Sequence, residues 1–288
     1  MTGFASALWM VVPWLLGLAV GVVLALTLLW LRARRIRLQV EADYLSAVAD
    51  FAQEQVRHGM QARFGDVRGE LPRRLVTALV GRGVGLGPLV IHASGRLRYD
   101  SDDRDRPVSA ESFLLPCGGW AQIRRVGLRR FGWIVEIHRV DGRGISSSYW
   151  WLGLFRIECP GCGPSPLALR AQALGERALA PWCWFVDRGV QWQVIEEGSA
   201  WEGVLPETGS RVTLDFDSMQ RPRAIGLHDP ETGATVCVEL GDWRWIERAL
   251  TPARISVIEG AGSANEFRRL DLQIHDVQRA PEFPLAAR

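Results

Sequence analysis

From Phe4 to Leu31 the chain carries no charged side chain, and Arg32, Arg34, Arg35 and Arg37 follow at once. Roughly 20 apolar residues in a helix cover the ~30 Å of a bilayer's hydrocarbon, so this run predicts one membrane span. Trp9 and Trp30 would stand about 30 Å apart on such a helix, where amphipathic rings meet the two headgroup layers. A cleaved leader reads differently, with positive charge ahead of an apolar stretch of about 7 to 15 residues and a small-residue cleavage site behind it. Arginines on the C-terminal side alone predict a bacterial inner-membrane protein with its N-terminus outside and everything after Arg32 in the cytoplasm. Gly17, Gly21 and Ala25 recur every fourth residue, a stripe of small side chains along which a second helix can approach. It predicts self-association or a membrane-protein partner.

Beyond the span, a chain of 288 residues has room for one large or two small domains. The net charge of +2 implies no global field for nucleic acid, and all 34 basic side chains are arginine. The absence of lysine excludes a Walker A lysine, a Schiff-base lysine and a kinase-type lysine. Thirteen tryptophans are either core filler of a small β fold or an aromatic contact surface. Five cysteines in a chain expected in the cytoplasm argue against a disulfide framework.

The expected fold class is α+β: a transmembrane anchor over residues 1–31, a juxtamembrane helical segment over 32–82, then a β-dominated cytoplasmic region. In the juxtamembrane segment Leu38, Ala42, Leu45, Ala49, Ala52 and Val56 follow helical spacing and give an amphipathic helix. A shorter helix is expected over Pro72–Val80. The glycine-rich GRGVGLGP at 81–88 reads as a linker. The β-dominated region divides into a β-rich module at 88–180 and a second at 181–288, with one domain or two left open. Ser94-Gly95 and Asp141-Gly142 are hairpin signals, Ser165-Pro166 opens a helix, and Asp242 caps another through Leu250. The acidic loop Asp100–Asp105, with Glu111 beyond it, fails as a calcium loop because Arg104 and Asp105 stand at its fifth and sixth positions.

Three constellations could carry chemistry. Arg124, Arg125, Arg129, Arg130, Arg139 and Arg143 form the densest basic stretch outside the membrane flank, an expected patch for anionic lipid or, with Trp120 and Trp133 interleaved, for nucleic acid. Cys159-Pro160-Gly161-Cys162-Gly163 has the two-thiolate spacing of half a zinc site, which Cys117 and Cys183 would complete. The same pair suits redox chemistry, and Asp215 with Asp217 could act as paired carboxylates. No nucleophile elbow or HExxH is present, and no catalytic residue is assigned. The leading expectation is a single-pass membrane protein with a cytoplasmic binding module, a scaffold or accessory subunit of a membrane complex. A membrane-tethered nucleic-acid or anionic-lipid binder braced by zinc is the alternative, and an enzyme using either pair is the third.

Overall fold

The computed structural model describes residues 13–36, 38 and most of 89–279, the exceptions in that range being 115–118, 129–131, 142–143, 154, 159–162, 180–192, 197–198, 206–207, 220 and 247–248. The expected amphipathic stripe beyond Leu38, the helix at Pro72–Val80 and the glycine-rich linker lie outside the described residues. Helix α1, Pro13–Ile36, has 24 residues, with an 18-residue stretch of mean hydropathy 2.4 and no buried share, and is long and apolar enough to cross a membrane. An added Cβ at Gly17 or Gly21 would meet nothing, so the small-residue stripe faces open space.

Among the described residues thirteen strands follow: β1 (Leu89–Leu97), β2 (Arg106–Leu114), β3 (Trp120–Leu128), β4 (Gly132–Asp141), β5 (Gly144–Trp151), β6 (Phe155–Ile157), β7 (Gln193–Glu196), β8 (Ala200–Val204), β9 (Arg211–Phe216), β10 (Pro222–His228), β11 (Thr235–Ile246), β12 (Ala249–Glu259) and β13 (Phe267–Arg279). Helix α2 (Pro166–Glu176) and a 3-10 turn (Arg177–Leu179) stand between β6 and β7. All strands form one antiparallel sheet, ordered β6-β5-β4-β3-β2-β1-β13-β12-β11-β10-β9-β8-β7. Two meanders thus run outward from a seam where the first strand pairs with the last.

This corrects the expected fold class. Among the described residues, one continuous sheet with two α-helices stands where an α+β arrangement leading into a cytoplasmic β region was expected, and strands from 88–180 and 181–288 share it. Period-2 alternation identifies strands but not which distant strand each will pair with. At the seam, β13 carries an extra residue: His92 faces Asp276 while Ala93 faces Ile274, which leaves His275 as a bulge. Gly95 lies inside β1, paired with Leu272 and not in a hairpin, and a Cβ there would sit 1.8 Å from the Asp271 carbonyl oxygen, so the close approach of β13 requires glycine. Asp242 likewise caps no helix. It takes a positive φ of 53° within β11, between Gly241 and Trp243, which pair in unbroken register with Arg254 and Pro252 of β12.

The sheet curls around α2. That helix packs on β10, β11 and β12 and also on β4 and β5. From β5 to β10 the order counts eight inter-strand spacings, about 38 Å if the sheet were flat at ~4.8 Å per step. An eleven-residue helix is only about 16 Å long and 10–12 Å across. The inner face is therefore a trough, lined by Leu97, Val126, Leu214, Ile225, Val238 and Leu272 among others, with α2 lying in it.

Candidate functional site

The fit of α2 into the trough comes from its sequence. Ser165 caps it, its hydroxyl accepting from the Ala168 N–H at 3.0 Å, and Pro166 needs no partner in the first turn. Small residues Ala168, Ala171, Ala173 and Gly175 are buried against the sheet. At Gly175 the approach is closest, since an added Cβ would lie 2.6 Å from Val238 Cγ1. Leu169 and Leu174 supply the larger apolar contacts. Each is worth about 2–3 kcal/mol when fully buried, so the apolar hold on the helix is modest.

The rest of the hold is polar. Along β3 the alternation that points Trp120 and Val126 inward also points Gln122 and Arg124 inward, and along β4 it does the same for Glu136 and His138. Arg124 donates to the side-chain oxygens of Gln122 and of Gln172 on α2, and faces Glu136 Oε2 at 3.5 Å. Gln172 donates to Glu176 at 2.9 Å and to Gln122 at 3.2 Å. Glu176 also accepts from the Trp120 indole at 2.7 Å and from Gln122 at 3.2 Å. Gln122 reaches Ser112 at 2.7 Å. Glu136 accepts from the Tyr99 hydroxyl at 2.5 Å. Every one of these groups except Tyr99 is almost wholly buried. A buried polar network that spans two elements fastens them only while all members are satisfied.

Charge is balanced unevenly across it. Burial pushes Glu176 up from its ordinary carboxylate range, against the bonds from Trp120 and Gln172 and the Arg124 charge. Burial acts on Glu136 in the same sense, but the His138 hydrogen bond, the Arg124 guanidinium and the Tyr99 hydroxyl outweigh it and hold this carboxyl below the usual range. His138 falls to about 4, through burial first and the Arg124 charge second. At neutral pH it is uncharged, so its contact with Glu136 at 3.1 Å is a hydrogen bond from Nε2–H, with Nδ1 accepting from Ser147 at 2.9 Å.

These shifts set the sign of the pH dependence. A histidine depressed from 6.5 to about 4 contributes stability in full above 6.5 and loses it as pH falls toward 4, about 3 kcal/mol over the window. Glu136, also depressed, loses its contribution as pH falls through its folded value. Glu176, raised, has the opposite sign and loses its contribution as pH rises. His138→Gln keeps both hydrogen-bond roles without a titrating ring. Melting curves at pH 7 and pH 4.5 are expected to show a smaller acid loss for His138→Gln than for the natural chain.

The residues singled out in the sequence fall elsewhere. Arg124 is 1% exposed and faces inward, while Arg125 and Arg139 stand on the outer face, and Arg129, Arg130 and Arg143 lie outside the described residues. The described members of the basic stretch are therefore divided between the two faces of the sheet. Cys117, Cys159, Cys162 and Cys183 all lie outside the described residues, and among those described no cluster of three or more His, Cys, Asp or Glu could hold a metal. Asp217 is a turn former: it accepts from the Met219 and Arg221 backbone at 2.9 Å each and pairs with the Arg221 guanidinium at 2.7 Å. Asp215 faces Ala224 on β10. In the loop Asp100–Asp105, Asp103 pairs with Arg106 and Asp105 with Arg98. Gln122, Glu136, Gln172 and Glu176 escaped the sequence reading. For Gln122 and Glu136 the signal was parity, polar side chains on strand positions that otherwise point apolar groups inward, while Gln172 and Glu176 stand one turn apart on α2.

On the outer face a recess of about 360 Å³ is lined by His92, Ser94, Arg125 and His275 together with Ala33 and Ile36 of α1. The Ser94 hydroxyl and His275 Nε2 are 2.5 Å apart there, an outcome of the β13 bulge.

No known protein family matches the sequence, and no curated protein does. Among solved structures, a putative outer membrane lipoprotein-sorting protein domain from Vibrio parahaemolyticus is similar at 11% identity and TM-score 0.45, over 74% of this chain and 92% of that one. A LolA superfamily protein from Nitrosomonas europaea is similar at 12% identity and TM-score 0.45, over 73% and 93%. A DUF1329 family protein from Desulfovibrio piger gives 8% identity and TM-score 0.48, over 74% and 92%. None of the three is described as a cytoplasmic scaffold, a nucleic-acid binder or an enzyme. These likenesses lend no support to the expected cytoplasmic module or to its scaffold, nucleic-acid, enzymatic or zinc-braced roles, and those readings are set aside. The arginine flank also has a second physical explanation: Arg32 lies 5.4 Å over the Trp150 ring, so it serves packing as well as charge.

Proposed function

We propose that this chain is a membrane-anchored receptor for an apolar ligand, an acyl chain, which enters the trough when α2 lifts. The observation that carries the reading is the cover itself: a broad apolar face of a curled sheet is closed by one short, alanine-rich helix, held through buried polar bonds. Polar fasteners suit a part that moves, because released Arg, Gln and Glu side chains are taken up by water, whereas a released apolar helix face is not. Lipoprotein sorting, named for the Vibrio parahaemolyticus domain, is one setting in which acyl chains would be the cargo.

The test uses the full-length protein in phospholipid nanodiscs with a photoactivatable palmitate analogue. Adducts on the inner-face residues of β9 to β13 are expected, and unlabelled palmitate should displace them. Adducts confined to α1 would mean that the probe meets the chain only through the bilayer.

A further inference from the structure

Two uncharged aromatic segments meet at one end of the sheet. Residues 131–135 read FGWIV and residues 149–155 read YWWLGLF, with Arg129 and Arg130 before the first and Arg156 after the second. Strand pairing joins them: Trp151 faces Ile134, and the Leu152 N–H donates to the Trp133 carbonyl at 2.8 Å. Trp151 and Phe155 are ring neighbours at 6.0 Å. Trp133 is 43% exposed, Trp151 36% and Phe155 58%, so three large rings at one tip of the sheet are left without full cover.

The membrane helix arrives at this tip. Ile36 and Ala33 line the outer-face recess, which extends from Val135 and Gly153 near the tip to His92 and His275 farther into the sheet. Four residues earlier, about 6 Å along the helix, Arg32 sits over Trp150, the strand neighbour of Trp151. Followed toward its apolar part, α1 therefore runs toward the aromatic end. Arg32 is also the first charge after the uncharged run and so stands at headgroup depth when α1 spans the bilayer.

We infer that the sheet end carrying Trp133, Trp151 and Phe155 rests in the headgroup layer of the bilayer that α1 crosses. Tryptophan rings favour that boundary, where an apolar body and a polar N–H are both accommodated, and exposed Arg156 reaches lipid phosphates from its edge. Trp245, 68% exposed, provides the contrast: β11 places it at the opposite end of the strands, by the turn into β12. The inference does not depend on the acyl-chain reading.

The full-length protein is made with benzoylphenylalanine at one position at a time, Phe155, Trp133, Trp245 or Trp30, and irradiated in phosphatidylglycerol and phosphatidylcholine nanodiscs. Lipid adducts at 155 and 133 approaching those at 30, and several-fold above those at 245, are the expected result. Adducts at 30 without any at 155 and 133, equal adducts at 245, or none at 30 would overturn the inference.

Discussion

Replacing Arg124 by methionine is expected to lower the stability of the folded chain by about 3–5 kcal/mol, the usual cost of removing one member of a buried charge pair. Methionine fills much of the same space, so the loss would come from the partners left behind. Glu136 would lose its cation, and the side-chain oxygens of Gln122 and Gln172 would lose the donor they share. A domain of this size loses roughly 10 °C of melting temperature for such a change, which tryptophan fluorescence of the detergent-solubilised protein would read. Arg124→Lys should rescue little, because one ammonium cannot bond both glutamines and face Glu136 as the guanidinium fork does. Adding Glu136→Gln to Arg124→Met should cost less than the two changes summed, since the second removes the charge that the first stranded. A loss near zero for Arg124→Met would mean that the network does not fasten α2.

Part of this was legible in the sequence. The uncharged run gave α1, and Ser165-Pro166 gave the start of α2, because a span and a helix cap are local signals. Among the strands, the β4–β5 hairpin followed from the turn signal at Asp141-Gly142, where Asp141 pairs with Gly144. Their arrangement did not, because β1 and β13 lie at opposite ends of the soluble sequence and their pairing, with its bulge at His275, is a contact between distant residues. The arginines misled for a related reason. Read as a run, Arg124 and Arg125 looked like one basic patch; on a strand, neighbours point to opposite faces, which sends the first into the core and the second to the surface. Glu136 and His138 share that inward parity on the neighbouring strand, and Gln172 and Glu176 stand one turn apart on α2. No single segment reveals that these three elements face one another.

On the acyl-chain reading, α2 must leave the trough before a ligand can occupy it. Gly175 and Val238 allow the helix to be pinned, because an ideal Cβ on Gly175 lies 3.4 Å from Val238 Cβ, close to the ~3.5–4.5 Å that a disulfide spans. In the pair Gly175→Cys with Val238→Cys, oxidation ties α2 to β11 and reduction frees it, so each preparation serves as its own control. If ligand entry requires the helix to lift, the oxidised form binds no more than the rarely opened state permits, since apparent affinity scales with the competent fraction. The decisive measurement is palmitate-analogue labelling of the inner face in this variant, oxidised and then reduced. Labelling lost on oxidation and restored by reductant is the result expected; equal labelling in both states, with the disulfide verified by mass, would contradict the account.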